Sequence, residues 1–174
     1  MQLDPIAATA ALQAGTKIAL AVALCYGCIS DIRRLRIPNA VSLIAVALFF
    51  VHHFAQAAPG SLAPHLWVGG IAFLFTFGLY WAGLMGAGDV KLISALMLWG
   101  GVRDGPAFLV AMALIGGLLA AVLLALRKSM AVRPAIKPYI PSRRVKAWAR
   151  RGIFPYGIAI CVAGLIFIPA FFAP

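Results

Sequence analysis

The feature that most constrains this chain is the length of its unbroken apolar runs. Residues 107–126, "AFLVAMALIGGLLAAVLLAL", contain no Lys, Arg, Asp, Glu or Pro. A helix made from such a run has no polar face to turn toward water, so it belongs in lipid or in a large core. A membrane-crossing helix needs about 20 apolar residues. The chain has 174 residues, 64% of them hydrophobic and only 11% charged, where a soluble domain carries about a quarter charged. No hydrophilic block is long enough for a second domain. Residues 1–174 therefore read as one all-α membrane domain, with lipid as its solvent.

Six segments qualify as spans: residues 10–30, 40–58, 65–85, 89–102, 107–126 and 153–172. The fourth is short. In the first, the arginines follow the apolar run, which is the reverse of a removable signal peptide. Orientation comes from the loops. "DIRRLRIPN" after the first span holds Arg33, Arg34 and Arg36, and "QAAPGSLAP" after the second holds no basic residue. "RKSMAVRPAIKPYIPSRRVKAWARR", residues 127–151, holds nine. Basic loops stay on the cytoplasmic side, so six spans put both termini outside and turn "MGAGDVK" toward the cytoplasm. Residues 127–151 are also suited to anionic lipid. The net charge of +11 is thus a topology signal and not a nucleic-acid footprint.

The chain has four acidic residues. Asp4 lies in the outer tail and Asp104 in the turn "RDGP". Asp31 and Asp89 end different helices on the same side. Counting from Lys17 and Arg103 respectively, each lies roughly 21 Å along its helix at 1.5 Å per residue, just below the cytoplasmic surface. An ionisable group at membrane depth is costly and points to function. Singly, each has a plain structural reading, Asp31 paired with Arg33 or Arg34 and Asp89 as a helix N-cap. Together, two close carboxylates hold one proton between them. The ionised one can take a proton from water while the protonated one polarises a carbonyl. Gly86 and Gly88 let the backbone turn and another chain approach.

At these residues the sequence resembles the type IV prepilin peptidases, the bacterial members of the GxGD intramembrane aspartic proteases. "GAGDVK" matches their signature at Gly86, Gly88, Asp89 and Lys91. "DIRRLRIPN" is similar to their first catalytic motif, an aspartate followed by Ile-Pro-Asn, here Asp31, Ile37, Pro38 and Asn39. "FPYGIAI" resembles the Pro-Tyr-Gly motif, Pro155, Tyr156 and Gly157, of the small CpaA/TadV-like branch that serves tight-adherence (Flp) pili. The resemblance implies a GxGD-protease-like bundle in the bacterial inner membrane with Asp31 and Asp89 catalytic. It implies cleavage of a short basic prepilin leader ahead of an apolar N-terminal helix, with Lys91 and Arg33 in support. Larger members carry a cytoplasmic domain with two CxxC pairs and also N-methylate their product. Here that connection is about nine residues long and the cysteine set is missing, so the expectation is no N-methyltransferase, no zinc and no S-adenosylmethionine.

Other readings stay open at this level: an archaeal-type preflagellin peptidase, a small transporter or proton relay using the same two aspartates, and a catalytically silent assembly factor. The "CYGC" cysteines, Cys25 and Cys28, and Cys161 read as small packing residues. His52, His53 and His65 fall toward the outer side, away from the two aspartates. Gly69, Gly70, Gly116 and Gly117 read as close-packing sites between helices, and Trp67 and Trp148 as interfacial anchors.

Overall fold

The structure is a computed structural model whose described residues are 5–56, 60–132 and 156–172. They are helical almost throughout, in the order α1 (Pro5–Arg34), α2 (Asn39–Phe54), α3 (Ala63–Trp81), α4 (Ala87–Val132) and α5 (Tyr156–Phe167), closed by a 3-10 turn at Ala170–Phe172. No strand occurs among the described residues. Three helices, α1, α3 and α4, are long and apolar enough to cross a membrane, and α2 and α5 are shorter apolar helices.

The surface agrees with a lipid solvent. Ile18, Leu43, Leu74 and Leu114 are each 65–71% exposed on different helices. So broad an apolar surface is not tolerated on a soluble monomer. The buried core is built around the N-terminal part of α4. Leu92, Ile93, Leu96 and Trp99 meet Leu20 and Leu24 of α1, Val41 and Phe49 of α2, and Ile160 and Cys161 of α5. The indole N–H of Trp99 donates to the main-chain carbonyl of Ala45 at 2.8 Å, which satisfies its one polar atom inside that core.

The spans expected at 89–102 and 107–126 are one helical stretch, Ala87–Val132, broken by non-helical backbone at Gly101 (φ 53°, ψ −155°). The turn is tight: a Cβ on Gly100 would lie 2.8 Å from the amide nitrogen of Gly105. Beyond it the chain folds back, since Met112, Gly116 and Ala120 share a cavity with Ile93 and Met85. α4 is thus a hairpin of two arms, 87–100 and 102–132. Pro106 falls near the start of the second arm, where few N–H groups have helical partners to lose.

α1 stops because Leu35 adopts a left-handed conformation (φ 53°), after a last helical bond from its N–H to the Asp31 carbonyl at 2.9 Å. Pro38 follows in extended geometry as the residue before α2. The Ser30 hydroxyl donates to the Arg36 carbonyl at 2.9 Å and holds the turn closed.

Three expectations need adjusting. Of the glycines, Gly69 does mark a close approach, because a Cβ there would meet the Leu98 side chain at 2.6 Å. Gly116 is in ordinary contact with Ala159, while Gly70 and Gly117 face open space. Of the cysteines, Cys161 is buried and Cys28 half-buried, whereas Cys25 is exposed; none forms a disulfide. Arg127 and Lys128 lie on α4, but the basic segment from residue 133 on, Trp148 and Pro155 fall outside the described residues.

Candidate active site

A cavity of about 630 Å³ opens at the end of the bundle where α1 stops and α4 and α5 begin. Asp31 and Asp89 both line it, together with Gly86, Gly88, Asn39 and Tyr156. Residues from four parts of the sequence therefore converge on one space.

Asp89 reaches it from the first turn of α4. The helix opens with the Asp89 and Val90 amides donating to the Gly86 carbonyl at 3.1 and 3.2 Å. The Gly86 amide in turn faces the Asp89 carboxyl. Asp89 is thus the third helical residue, its carboxyl facing the N-cap amide as the acidic member of a capping box does, and it is not itself the N-cap expected from the sequence. A Cβ on Gly86 would sit 3.1 Å from Asp89 Oδ2.

Asp31 comes from the last turn of α1 and is only 5% exposed. Its carboxyl lies against the main-chain amides of Gly157 and Ile158, in the first turn of α5, the positive end of that helix. Its Oδ2 is buried and has no hydrogen-bond partner. Gly157 permits this approach, since a Cβ there would lie 2.7 Å from Asp31 Oδ2 and 2.9 Å from Ile37 Cδ1. Among the described residues no ion pair joins Asp31 to Arg33 or Arg34, and both arginines are exposed. The plain ion-pair reading of Asp31 therefore has no support.

Ile37 joins the three motifs. Its Cδ1 packs on Gly157, and its Cβ and carbonyl would lie 3.2 and 3.3 Å from a Cβ on Gly88. A larger residue at either glycine would push against it. The Lys91 ammonium donates to the Asn39 side-chain carbonyl at 3.0 Å, tying α4 to the start of α2 at the cavity edge.

Most of the supporting residues expected from the sequence are therefore gathered here: Gly86, Gly88, Asn39 and Tyr156 line the cavity, Gly157 abuts Asp31, and Lys91 holds Asn39. Pro38 shapes the α1–α2 turn, and Arg33 is exposed and does not line the cavity, whereas Arg36 does. Leu35, Ile37, Leu84 and Met85 also line the cavity and were not singled out as site residues. Ile37 could have been found as part of Ile-Pro-Asn, whereas nothing local marks Leu84.

The opposite end of the bundle holds a second cavity of about 510 Å³, lined by His52, His53, His65, Arg103 and Asp104 among others. Its histidines serve packing. The His52 Nδ1 and the Thr16 hydroxyl are 2.7 Å apart, and His65 Nδ1 donates to the Leu98 carbonyl at 2.7 Å. Among the described residues no group of three or more His, Cys, Asp or Glu is placed to hold a metal ion.

Compared with known proteins, residues 18–121 match the family model described as the type IV leader peptidase family. The matched region contains both aspartates and the whole GAGDVK segment. No curated protein and no solved structure matches the chain.

Proposed function

Since this chain belongs to the type IV leader peptidase family, we propose that Asp31 and Asp89 form a catalytic pair that removes the leader of Flp-type prepilins. The observation that carries this reading is the convergence of both carboxylates on one cavity from separate helices. Two carboxylic groups facing one cavity can divide an acid and a base role between them. The ionised aspartate takes a proton from water, whose oxygen adds to the scissile carbonyl. The protonated aspartate donates to that carbonyl oxygen. The tetrahedral adduct then collapses as the pair returns a proton to the departing amine, leaving a free carboxyl on the leader and a free amine on the pilin. Titration belongs to the pair as a unit, so the rate against pH is bell-shaped.

The positive-inside pattern supports six spans with both termini outside and the aspartate cavity at the cytoplasmic boundary of the inner membrane. A basic leader then docks on that side, and the composition of residues 127–151 suits anionic lipid. The proton-relay alternative has less support. The buried core of the bundle holds Leu24, Phe49, Leu92 and Leu96, all at 0% exposure, and these side chains offer a proton no polar group.

The test uses purified full-length protein in lipid with a Flp-type prepilin. Wild type removes the leader, with or without EDTA. Asp31→Asn and Asp89→Asn each lower the rate by about 10²–10⁴-fold, the usual share of a positioned acid or base, and the double variant is no slower than the worse single one. Normal cleavage by either variant would refute the pair.

A further inference from the structure

We infer that the groove between α2, α3 and the first arm of α4 seats the apolar helix of the substrate while its scissile bond lies between the aspartates. This inference rests on the peptidase reading above.

The groove holds about 770 Å³ and is almost wholly apolar. Leu43, 71% exposed, and Phe73, 42% exposed, stand on its walls, and Gly70, Ser94 and Ala95 leave it deep. Nothing would lie within 4 Å of a Cβ on Gly70, so the space above it is open. Small residues are what a second helix needs for close packing in lipid, where no hydrophobic force drives helices together.

Two observations identify the occupant. The first is continuity. Asn39 lines both the aspartate cavity and the groove, and α2 starts at Asn39 and leads away from the carboxylates. A chain extended in the cavity and helical beyond it would fill both spaces without a break. From Asn39 to Val46 the groove follows α2 for about 10 Å of helix, the length of the first two turns of an incoming helix. A lipid chain or a second copy of this protein fills the groove without engaging the cavity.

The second is Ser42, on the groove wall one turn in from Asn39. It is 6% exposed, and its hydroxyl has no hydrogen-bond partner. Ser94 and Thr76, by contrast, each donate to the carbonyl four residues back at 2.7 Å. An unpartnered hydroxyl in apolar surroundings is costly. The first four N–H groups of any helix lack internal acceptors, and a helix entering from the cavity side brings them past Ser42, whose hydroxyl oxygen is covered in the empty groove and turns to another χ1 rotamer to meet them. The Lys91–Asn39 bond lies at the junction of the two spaces, with Lys91 also lining the groove.

The experiment places a photo-crosslinking benzoylphenylalanine at position 43, on the groove, or at position 18 on the outer face of α1, where Ile18 is 65% exposed. Both are made in the Asp31→Asn background to hold uncut Flp-type prepilin. Prepilin adducts are expected at position 43 and not at position 18. In the otherwise wild-type protein, Gly70→Leu is expected to raise KM for prepilin at least about fivefold with kcat within about twofold, because remote contacts serve binding rather than chemistry. Equal labelling at both positions, only lipid or self-adducts at position 43, or an unchanged KM for a folded Gly70→Leu protein would overturn the groove assignment. If Gly70→Leu does not fold, the crosslinking pattern decides alone. Absence of prepilin cleavage by wild type would instead refute the peptidase reading, so the two failures are distinguishable.

Discussion

Gly157 stands so close to Asp31 that a methyl group on it would lie 2.7 Å from Oδ2. The glycine of the last motif is thus the surface against which the first aspartate rests, although 126 positions separate them in the sequence (157 minus 31). That contact ties the start of α5 to the end of α1 and leaves the carboxyl no freedom to swing toward α5.

Gly157→Ala should therefore displace the Asp31 carboxyl or Ile37, both of which its Cβ would meet. A shift of about 1 Å in a catalytic group costs about 10²-fold. Leader cleavage is expected to fall by about that factor in protein that still elutes as a folded monodisperse peak. Unchanged kcat/KM would show that the carboxyl position is immaterial.

The Lys91–Asn39 bond of 3.0 Å joins the beginnings of α4 and α2 through their side chains, beside the packing of Ile37 against Gly88. Lys91→Ala and Asn39→Ala should each lower kcat/KM by a similar factor, about tenfold, as the removal of one hydrogen bond to a charged group costs about 1.5–3 kcal/mol when fully expressed and less at an exposed site. The double variant should be no worse than either single one. Strictly additive losses in a double-mutant cycle would show that the two side chains act separately.

Gly101 holds φ 53° and ψ −155° at the bend of α4, and a Cβ on it would come 2.9 Å from the His65 ring. Gly101→Ala is expected to cost about 1–3 kcal/mol of backbone strain, seen as earlier thermal unfolding in detergent. A melting curve matching wild type would mean the bend tolerates a side chain.

Thr16 is 2% exposed, with its hydroxyl 2.8 Å from the Gln13 carbonyl and 2.7 Å from His52 Nδ1. One hydroxyl proton serves one acceptor, so with Gln13 accepting it, His52 donates from Nδ1. Thr16→Val removes the hydroxyl from Nδ1, and since the Gln13 carbonyl also meets the His52 ring, the loss is expected at the low end of about 1–3 kcal/mol. The site is at the far end of the bundle from the aspartates, so stability should drop while leader cleavage of the folded protein stays within about twofold. A selective loss of cleavage would link the two ends.

Much of the architecture was legible because membrane helices announce themselves one at a time. Run length and loop composition located all of α1, α2 and α3 to within a few residues. The sequence puts the break between the fourth and fifth spans at residues 103–106, whereas the backbone turns at Gly101, inside the expected fourth span, because only the assembled bundle shows which of the neighbouring glycines takes a positive φ. The sequence points to Arg33 for support, whereas Arg36 lines the cavity, because Arg36 lies beyond the end of α1 in a turn whose course follows from the left-handed Leu35.

By itself, then, the sequence determined the solvent, the helical segments and the presence of two acids near one end of the bundle. Those properties follow from local composition, since a backbone in lipid must satisfy its own hydrogen bonds and a charge must stay near water. Only the tertiary structure decided that Asp31 and Asp89 face the same cavity, that Ile37 packs on Gly157 and against Gly88, and that the groove behind Asn39 continues the cavity. These helices are apolar on every side, and without a polar stripe nothing in the sequence says which face turns inward. Helix rotation is fixed by the fit of glycines against side chains far away in the chain, and that fit exists only once the bundle is assembled.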